Sequence, residues 1–232
     1  SEHLLPRLTA FELMMAPYAI AHMKLGLKLF ETGYRFEDDV RARVFLTNAL
    51  QPPRASGGQV EMFGDALAHE CAAADETKSI TPFTVVVGNP PYSLQSANMD
   101  KNARDLIQPF KFVEGRRIVE RNALQLEKNL NDDYVKFFAL VIKLLTPQTL
   151  FCSGLITNHS FLDNPTLRGM RWKVSQTFNF LRIVDLHGNS TKKEEPPAQQ
   201  ANENIFEIKQ GTAISIFANL PSSDRSSRHM SF

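Results

Sequence analysis

The sequence of 232 residues has little cysteine and no long apolar run. Its two cysteines, Cys71 and Cys152, are far apart and belong to no Cys-x-x-Cys or Cys/His spacing, which excludes a disulfide scaffold and a cysteine-built zinc site. No stretch approaches the roughly 18 apolar residues of a membrane span, and the N-terminus lacks a basic segment followed by an apolar signal core. We therefore expect a cytoplasmic protein without a membrane segment.

The chain also lacks an excess of charge of either sign. The 26 Lys and Arg residues against 25 Asp and Glu give a net charge of +1, so there is no overall attraction to a polyanion. A nucleic acid must therefore be bound by local patches. Residues 101–128 contain seven basic and four acidic side chains; we expect Lys101, Arg116 and Arg117 to contact DNA phosphates, the alternative being a solvated helix face.

Short apolar runs alternate with segments of helical periodicity along the chain. The predicted strands are 8–13, 42–50, 83–87, 149–157, 180–186 and 213–217, and the predicted helices are 17–33, 61–77, 117–128, 132–145 and 165–177. This order predicts an α/β fold with a mostly parallel sheet and helices on both faces. Residues 93–116 show no sustained period and are predicted to be a loop, and 188–204 are too polar to fold alone.

The most informative motif follows the strand predicted at 83–87. That strand ends at Gly88-Asn89-Pro90-Pro91-Tyr92, and ligands of such sheets bind beyond the carboxyl ends of the strands. The Asn89 side chain and the Pro90 main chain each offer a carbonyl acceptor, and two successive prolines restrict the backbone so that both can point at one spot.

Two convergent acceptors would hold the two hydrogens of an exocyclic amino group. They would also stabilise the positive charge that its nitrogen gains as it attacks an electrophile. Tyr92 offers a flat face on which a heteroaromatic ring can stack. The alternative is that the tetrapeptide is only a tight turn. Polar residues also end two other predicted strands, at Glu12 and Asn48.

The motif resembles the hallmark of the S-adenosylmethionine-dependent amino-methyltransferases, which is Asp, Asn or Ser, then Pro-Pro, then Tyr, Phe or Trp after the fourth strand. Within them the chain is similar to the adenine-N6 DNA methyltransferase region of large fused restriction-modification enzymes, over nearly all of residues 3 to 219. The resemblance implies a Rossmann-like methyltransferase sheet, S-adenosylmethionine as cofactor and double-stranded DNA as partner. It also implies that Asn89, Pro90, Pro91 and Tyr92 grip a flipped adenine, with no metal ion.

Other blocks extend the resemblance to the cofactor and the target base. Phe11-Glu12 is similar to the family's second motif, whose acidic residue binds the cofactor ribose, and Thr47-Asn48 is similar to the third, whose polar residue lies by the cofactor adenine; Asp is more usual there than Asn. Phe206 corresponds to a residue that stacks on the target base. Later blocks at 154–164, 185–189 and 204–214 are also similar.

One part of the family pattern is missing from the sequence. The family opens with a strand and a glycine-rich turn that cradles the methionine end of the cofactor, and only 11 residues precede Glu12. We therefore expect residues 1–220 to be a partial catalytic domain, incomplete at its N-terminal end, and 221–232 a disordered tail. The missing cofactor loop and a target-recognition domain are expected as partner segments, and the isolated chain is expected to bind the cofactor weakly and to be inactive.

Other functions remain open on sequence alone. The same tetrapeptide occurs in methyltransferases of protein glutamine, ribosomal guanine and the N4 amino group of DNA cytosine. A different kind of function is also open, in which the protein is a non-catalytic DNA-binding or interaction module. His159 and His187 are candidates for lining the site, although histidines near strand ends are more often structural. The nuclease-like pattern of Asp185 with Glu207-x-Lys209 is short and common.

Overall fold

The computed structural model describes residues 4–35, 41–54, 65–91, 96–119, 123–189, 209–221 and 230–231. The chain divides into two compact units, Ser1–Thr81 and Pro82–Phe232. The described part of the first unit contains β1 (Ala10–Glu12), α1 (Met15–Glu31), β2 (Val44–Leu46) and α2 (Asp65–Ile80). That of the second contains β3 (Val85–Gly88), α3 (Lys101–Ile107), β4 (Phe112–Val113), β5 (Arg116–Arg117), α4 (Ala123–Leu130), α5 (Asp133–Leu145), β6 (Phe151–Asn158), α6 (Arg168–Thr177), β7 (Phe180–His187), β8 (Thr212–Asn219) and β9 (Met230–Ser231).

The first unit is a strand-helix-strand arrangement. Strands β1 and β2 are parallel, with Glu12 opposite Leu46, and α1 supplies the crossover that parallel neighbours require. The strands predicted at 8–13 and 42–50 are present but shorter, and a polar side chain turns the backbone after the carboxyl end of each. The Glu12 carboxylate accepts from Met14 N at 2.9 Å, and Asn48 Oδ1 accepts from Leu50 N at 3.0 Å.

The second unit is built on a five-stranded sheet of order β3-β6-β8-β7-β9. Strand β6 is parallel to β3, β9 is parallel to β7, and β8 is antiparallel to both of its neighbours. Four strands therefore run in one direction, and β8, inserted between β6 and β7, runs in the other. The prediction of a mostly parallel sheet in an α/β fold is confirmed.

Among the described residues of the second unit, helices cover one face of this sheet, so the prediction of helices on both faces is not met there. One buried cluster joins α5 and α6 to a single face, on which Phe151, Leu155 and Phe217 point inward. On the opposite face Val87 is 80% exposed and Val184 56% exposed. The valine run of β3 therefore alternates between covered and exposed positions, because the described helices that follow it pack on the same side.

The loop predicted for 93–116 contains regular structure. The Asp100 side chain accepts a hydrogen bond from Ala103 N at 2.8 Å and caps α3. Ala103 and Ile107 are buried on one side of that helix. A 3-10 turn over Gln108–Lys111 then leads into the β4-β5 hairpin. The helical period was missed because α3 is only two turns long, too short for a sustained repeat.

The remaining boundaries differ by a few residues. The helix predicted at 117–128 begins later, at Ala123, because Arg116 and Arg117 form β5 instead. Residues 190–208, most of the polar stretch, lie outside the described residues, as do 222–229 of the predicted tail. Met230–Ser231 pair with β7, and the domain limits at 220 and 221 stay predictions. No helix among the described residues is long and apolar enough to cross a membrane.

Helix α5 supplies several of the largest buried side chains of the second unit. Tyr134 is 2% exposed and packs edge-on against Phe138, which in turn contacts Phe161 and Phe217. Burial raises the pKa of the Tyr134 phenol well above its ordinary value, and the nearby Asp132 carboxylate adds to the rise. The phenol is therefore harder to ionise in the folded state than in the unfolded state.

This difference predicts an alkaline loss of stability that Tyr134→Phe removes. Below about pH 10 the phenol is neutral in both states; above it only the unfolded chain loses the proton, so the free energy of unfolding falls by up to about 1.4 kcal/mol per pH unit. Urea unfolding between pH 8 and pH 11 measures the slope. Tyr34→Phe, at a partly exposed tyrosine, is the control and should keep the wild-type slope; equal slopes for Tyr134→Phe and wild type would contradict the burial argument.

Candidate active site

The Asn-Pro-Pro turn lies directly at the carboxyl end of β3. Gly88 is the last residue of the strand and lies opposite Leu155 of β6. Asn89 is exposed, Pro90 is buried and Pro91 is exposed. The buried proline fixes the turn to the protein, while the adjacent asparagine faces solvent. Tyr92 lies outside the described residues, so its role in base stacking stays a prediction.

Further polar groups meet at the same edge of the sheet. Strand β6 ends at Asn158 and β7 at His187, and both residues lie opposite Thr212, the first residue of β8. The carboxyl ends of β3, β6 and β7 therefore lie at one edge, together with the start of β8. This is the edge at which sheets of this type bind ligands.

His159 connects the loops at this edge. Its ring is 3% exposed; Nε2 lies 3.1 Å from Asn189 Nδ2, and Nδ1 lies 3.0 Å from Asp185 Oδ1. Because the Asn189 amide donates to Nε2, the ring proton is assigned to Nδ1, which donates to Asp185. A Cβ on Gly211 would lie 2.4 Å from the ring, so the loop before β8 accepts only glycine there.

The two histidine candidates therefore differ in their surroundings. His159 is enclosed by partners from the loops after β7 and before β8, which is the structural role that the sequence favoured. His187 is exposed and has a positive φ of 55°, and its backbone N–H donates to Asp185 Oδ1 at 2.9 Å. The Asp185 carboxylate thus accepts hydrogen bonds from both His159 and His187. Glu207 of the nuclease-like pattern, and Phe206, lie outside the described residues.

The basic candidates are exposed on two separate elements. Lys101 begins α3, whereas Arg116 and Arg117 form β5. Glu114 and Gly115 turn the hairpin with φ values of 50° and 75°, as a two-residue hairpin turn requires. By contrast, the Lys111 ammonium is buried in an ion pair with Glu127 at 2.6 Å. Contact of the exposed three with DNA stays a prediction.

The two predicted cofactor residues lie on neighbouring strands of the first unit. Glu12 ends β1, and Asn48 follows β2 by two residues; Thr47 N donates to Glu12 O at 2.8 Å and joins the two ends. Both side chains are partly exposed. The structure therefore places a carboxylate and an amide side by side at the carboxyl ends of two parallel strands.

Lys78 of α2 holds the loop that carries Asn48. Its Nζ donates to Thr47 Oγ1 and to Asn48 O, each at 2.8 Å. Burial lowers the pKa of Lys78, and the Asp75 carboxylate opposes that shift. The sequence does not indicate this role for Lys78, because a lysine in a helix rich in Ala and Glu is typical of a solvated surface.

The profile of the Eco57I restriction-modification methylase family matches residues 17–191, and no curated protein matches. The fold is similar to that of the ATP-dependent Type ISP restriction-modification enzyme LlaBIII bound to DNA, with a TM-score of 0.69 and 23% identity over 90% of this chain. For the DrdV–DNA complex the TM-score is 0.68 and the identity 21%, again over 90% of the chain.

A third similar structure is a nuclease-deletion mutant of the Type ISP enzyme LlaGI in complex with a DNA substrate mimic. Its TM-score is 0.65, with 19% identity over 93% of this chain. The chain spans 14% of the LlaBIII chain and 20% of the DrdV and LlaGI chains. At these identities the three structures establish a shared fold.

Proposed function

The chain belongs to the Eco57I restriction-modification methylase family, and from this we propose that it is part of a DNA methyltransferase that modifies the N6 amino group of adenine. The observation that carries the proposal is the position of Asn89 and Pro90 at the carboxyl end of β3. We further propose that the fold is that of a Rossmann-like methyltransferase. The residue roles below belong to the same proposal.

The turn acts on the adenine amino group through its carbonyl oxygens. Asn89 Oδ1 and Pro90 O accept the two amino hydrogens, which orients the nitrogen lone pair and stabilises the positive charge that develops on nitrogen. The exposure of Asn89 beside a buried Pro90 supports this role, because the acceptor has to reach a base that has left the duplex. Tyr92 and Phe206 are proposed to stack on that base.

The first unit supplies residues that fit S-adenosylmethionine. A carboxylate such as Glu12 suits ribose hydroxyls, and the amide of Asn48 offers both a donor and an acceptor to an adenine ring. Lys78 holds that loop through its hydrogen bonds to Thr47 Oγ1 and Asn48 O. S-adenosylmethionine supplies a methyl group already activated by its sulfonium, so the chain has to position the reactants. Lys101, Arg116 and Arg117 are proposed to contact phosphates.

Product analysis tests the proposed reaction. The whole polypeptide that carries these 232 residues is incubated with DNA and S-adenosylmethionine labelled in the methyl group, and the DNA is digested to nucleosides. We expect the label in N6-methyladenine. Label in N4-methylcytosine, or in protein or RNA offered in parallel, would assign a different amino substrate, and the absence of transfer to any of them would contradict a catalytic role.

A further inference from the structure

A buried lysine on α5 lies next to the segment that follows the Asn-Pro-Pro-Tyr motif. Lys136 is 0% exposed, and its Nζ donates to Ser96 Oγ at 2.7 Å and to Asn98 O at 2.6 Å. Ser96 Oγ donates to Asp133 Oδ1 at 2.5 Å, and Asn98 Nδ2 donates to the same oxygen at 3.0 Å. We call Lys136, Asp133, Ser96 and Asn98 the lysine anchor.

Burying a charged lysine at this position costs free energy, because the ammonium loses its contact with water. The side chain is fully buried, and this burial lowers the pKa of Lys136, although the carboxylates of Asp133, Asp132 and Asp100 oppose the shift. An apolar side chain of similar length would occupy the space without that cost. Packing of α5 alone therefore does not account for a lysine, whereas its bonds to a connecting segment do.

The lysine anchor holds the described residues that follow the Asn-Pro-Pro turn along the chain. Upstream, Gly88 is held in the sheet by its pairing with β6. Downstream, Ser96 and Asn98 are held by α5, which also packs against β3. The same helix thus supports the strand before Asn89 and the residues that follow position 95.

We propose that Lys136 is a positioning residue for methyl transfer, fixing through Ser96 and Asn98 the downstream end of the segment that carries Asn89 and Pro90. This rests on the proposed function of that segment. Because misplacement of a reacting group by about 1 Å can reduce turnover by about 10²-fold, loosening this end lowers kcat. Binding of S-adenosylmethionine, assigned to Glu12 and Asn48 of the other unit, is unaffected.

Hydrogen exchange and kinetics of matched variants test the proposal. Lys136→Met removes the ammonium, and Ser96→Ala removes its hydroxyl partner with little change in volume. Lys143→Met, an exposed lysine of the same helix, and Ser175→Ala, whose hydroxyl donates to the Trp172 carbonyl within α6, are the controls. Exchange is measured on the 232-residue chain, and kcat and KM for S-adenosylmethionine on the whole polypeptide.

We expect faster amide exchange at Asn89 and at residues 96–99 in Lys136→Met and Ser96→Ala, with β6 and α6 unchanged. We also expect kcat to fall about 10-fold to 100-fold, with KM for S-adenosylmethionine changed less than about 3-fold. If Lys136→Met exchanges faster throughout the chain because it unfolds, Ser96→Ala carries the test.

Three results would overturn the proposal. Unchanged exchange at residues 96–99 in Ser96→Ala would contradict the anchoring itself. Faster exchange there with an unchanged kcat would contradict its part in the reaction. Absence of methyl transfer by the wild-type polypeptide would contradict the proposed function, and with it the positioning role of Lys136 in the reaction. This outcome is distinguishable from the first result, because the exchange measurement does not depend on activity.

Discussion

Asn89→Ala in the whole polypeptide should lower kcat for methyl transfer to DNA by about 10²-fold to 10³-fold, the usual cost of removing one preorganised polar contact to a developing charge. The methyl side chain keeps the turn, which Pro90 holds by its burial, but removes one of two acceptors for the amino hydrogens. Steady-state assays with labelled S-adenosylmethionine measure the loss. KM for S-adenosylmethionine should change less than about 3-fold, because that binding is assigned to other residues.

Two further variants make the Asn89 result specific. Asn89→Asp keeps a side-chain oxygen at the same position and occurs in the hallmark that the motif resembles, so it should retain more activity than Asn89→Ala. Asn102→Ala, at an exposed asparagine on α3, should have wild-type kcat. DNA affinity from fluorescence anisotropy should be similar in all three. An active Asn89→Ala enzyme would contradict the proposed grip, and a wild-type protein that binds DNA without transfer would favour a binding module.

Gly169→Ala should strongly destabilise the second unit, although it adds only one methyl group. A Cβ at this position of α6 would lie 1.9 Å from the Phe110 carbonyl oxygen and 2.8 Å from Ile118 Cδ1. The oxygen belongs to the backbone of the 3-10 turn, so the helix and the turn must move apart and lose buried contacts. We expect the free energy of unfolding to fall by about 2 to 3 kcal/mol, measured by urea denaturation of the 232-residue chain.

Gly154→Ala is the matched control for this clash. Gly154 lies in β6, and a Cβ there meets no atom within 4 Å. Alanine has less conformational freedom in the unfolded chain than glycine, so the substitution should be neutral or stabilise by up to about 1 kcal/mol. Equal losses in the two variants would contradict the close approach of α6 to the 3-10 turn.

The sequence predicted the elements whose signals are local. The apolar run before Asn89 and the helical period of α5 identified β3 and α5, because a short β-branched run that ends at Gly and Pro indicates a strand and a repeat of more than three turns indicates a helix. The mostly parallel sheet followed from the alternation of strands and helices. The placement of Glu12 and Asn48 at strand ends followed in the same way, since Glu12 comes directly after an apolar run and Asn48 one residue further on.

What the sequence did not predict depends on contacts between distant residues. Nothing near Lys136 indicates that a lysine within an amphipathic helix is buried, because its partners are about 40 positions earlier. The short helix α3 depends on a cap at Asp100 and two buried residues. The exposed face that bears Val87 and Val184 was missed for a related reason, since a β-branched run does not reveal which side the following helices cover.

The most direct test of the account is a structure of the whole polypeptide bound to DNA and a non-reactive analogue of S-adenosylmethionine. We expect an adenine outside the duplex, with its amino nitrogen between about 2.7 and 3.2 Å from both Asn89 Oδ1 and Pro90 O. An adenine that remains paired in the duplex, or an amino group bound by neither oxygen, would contradict it.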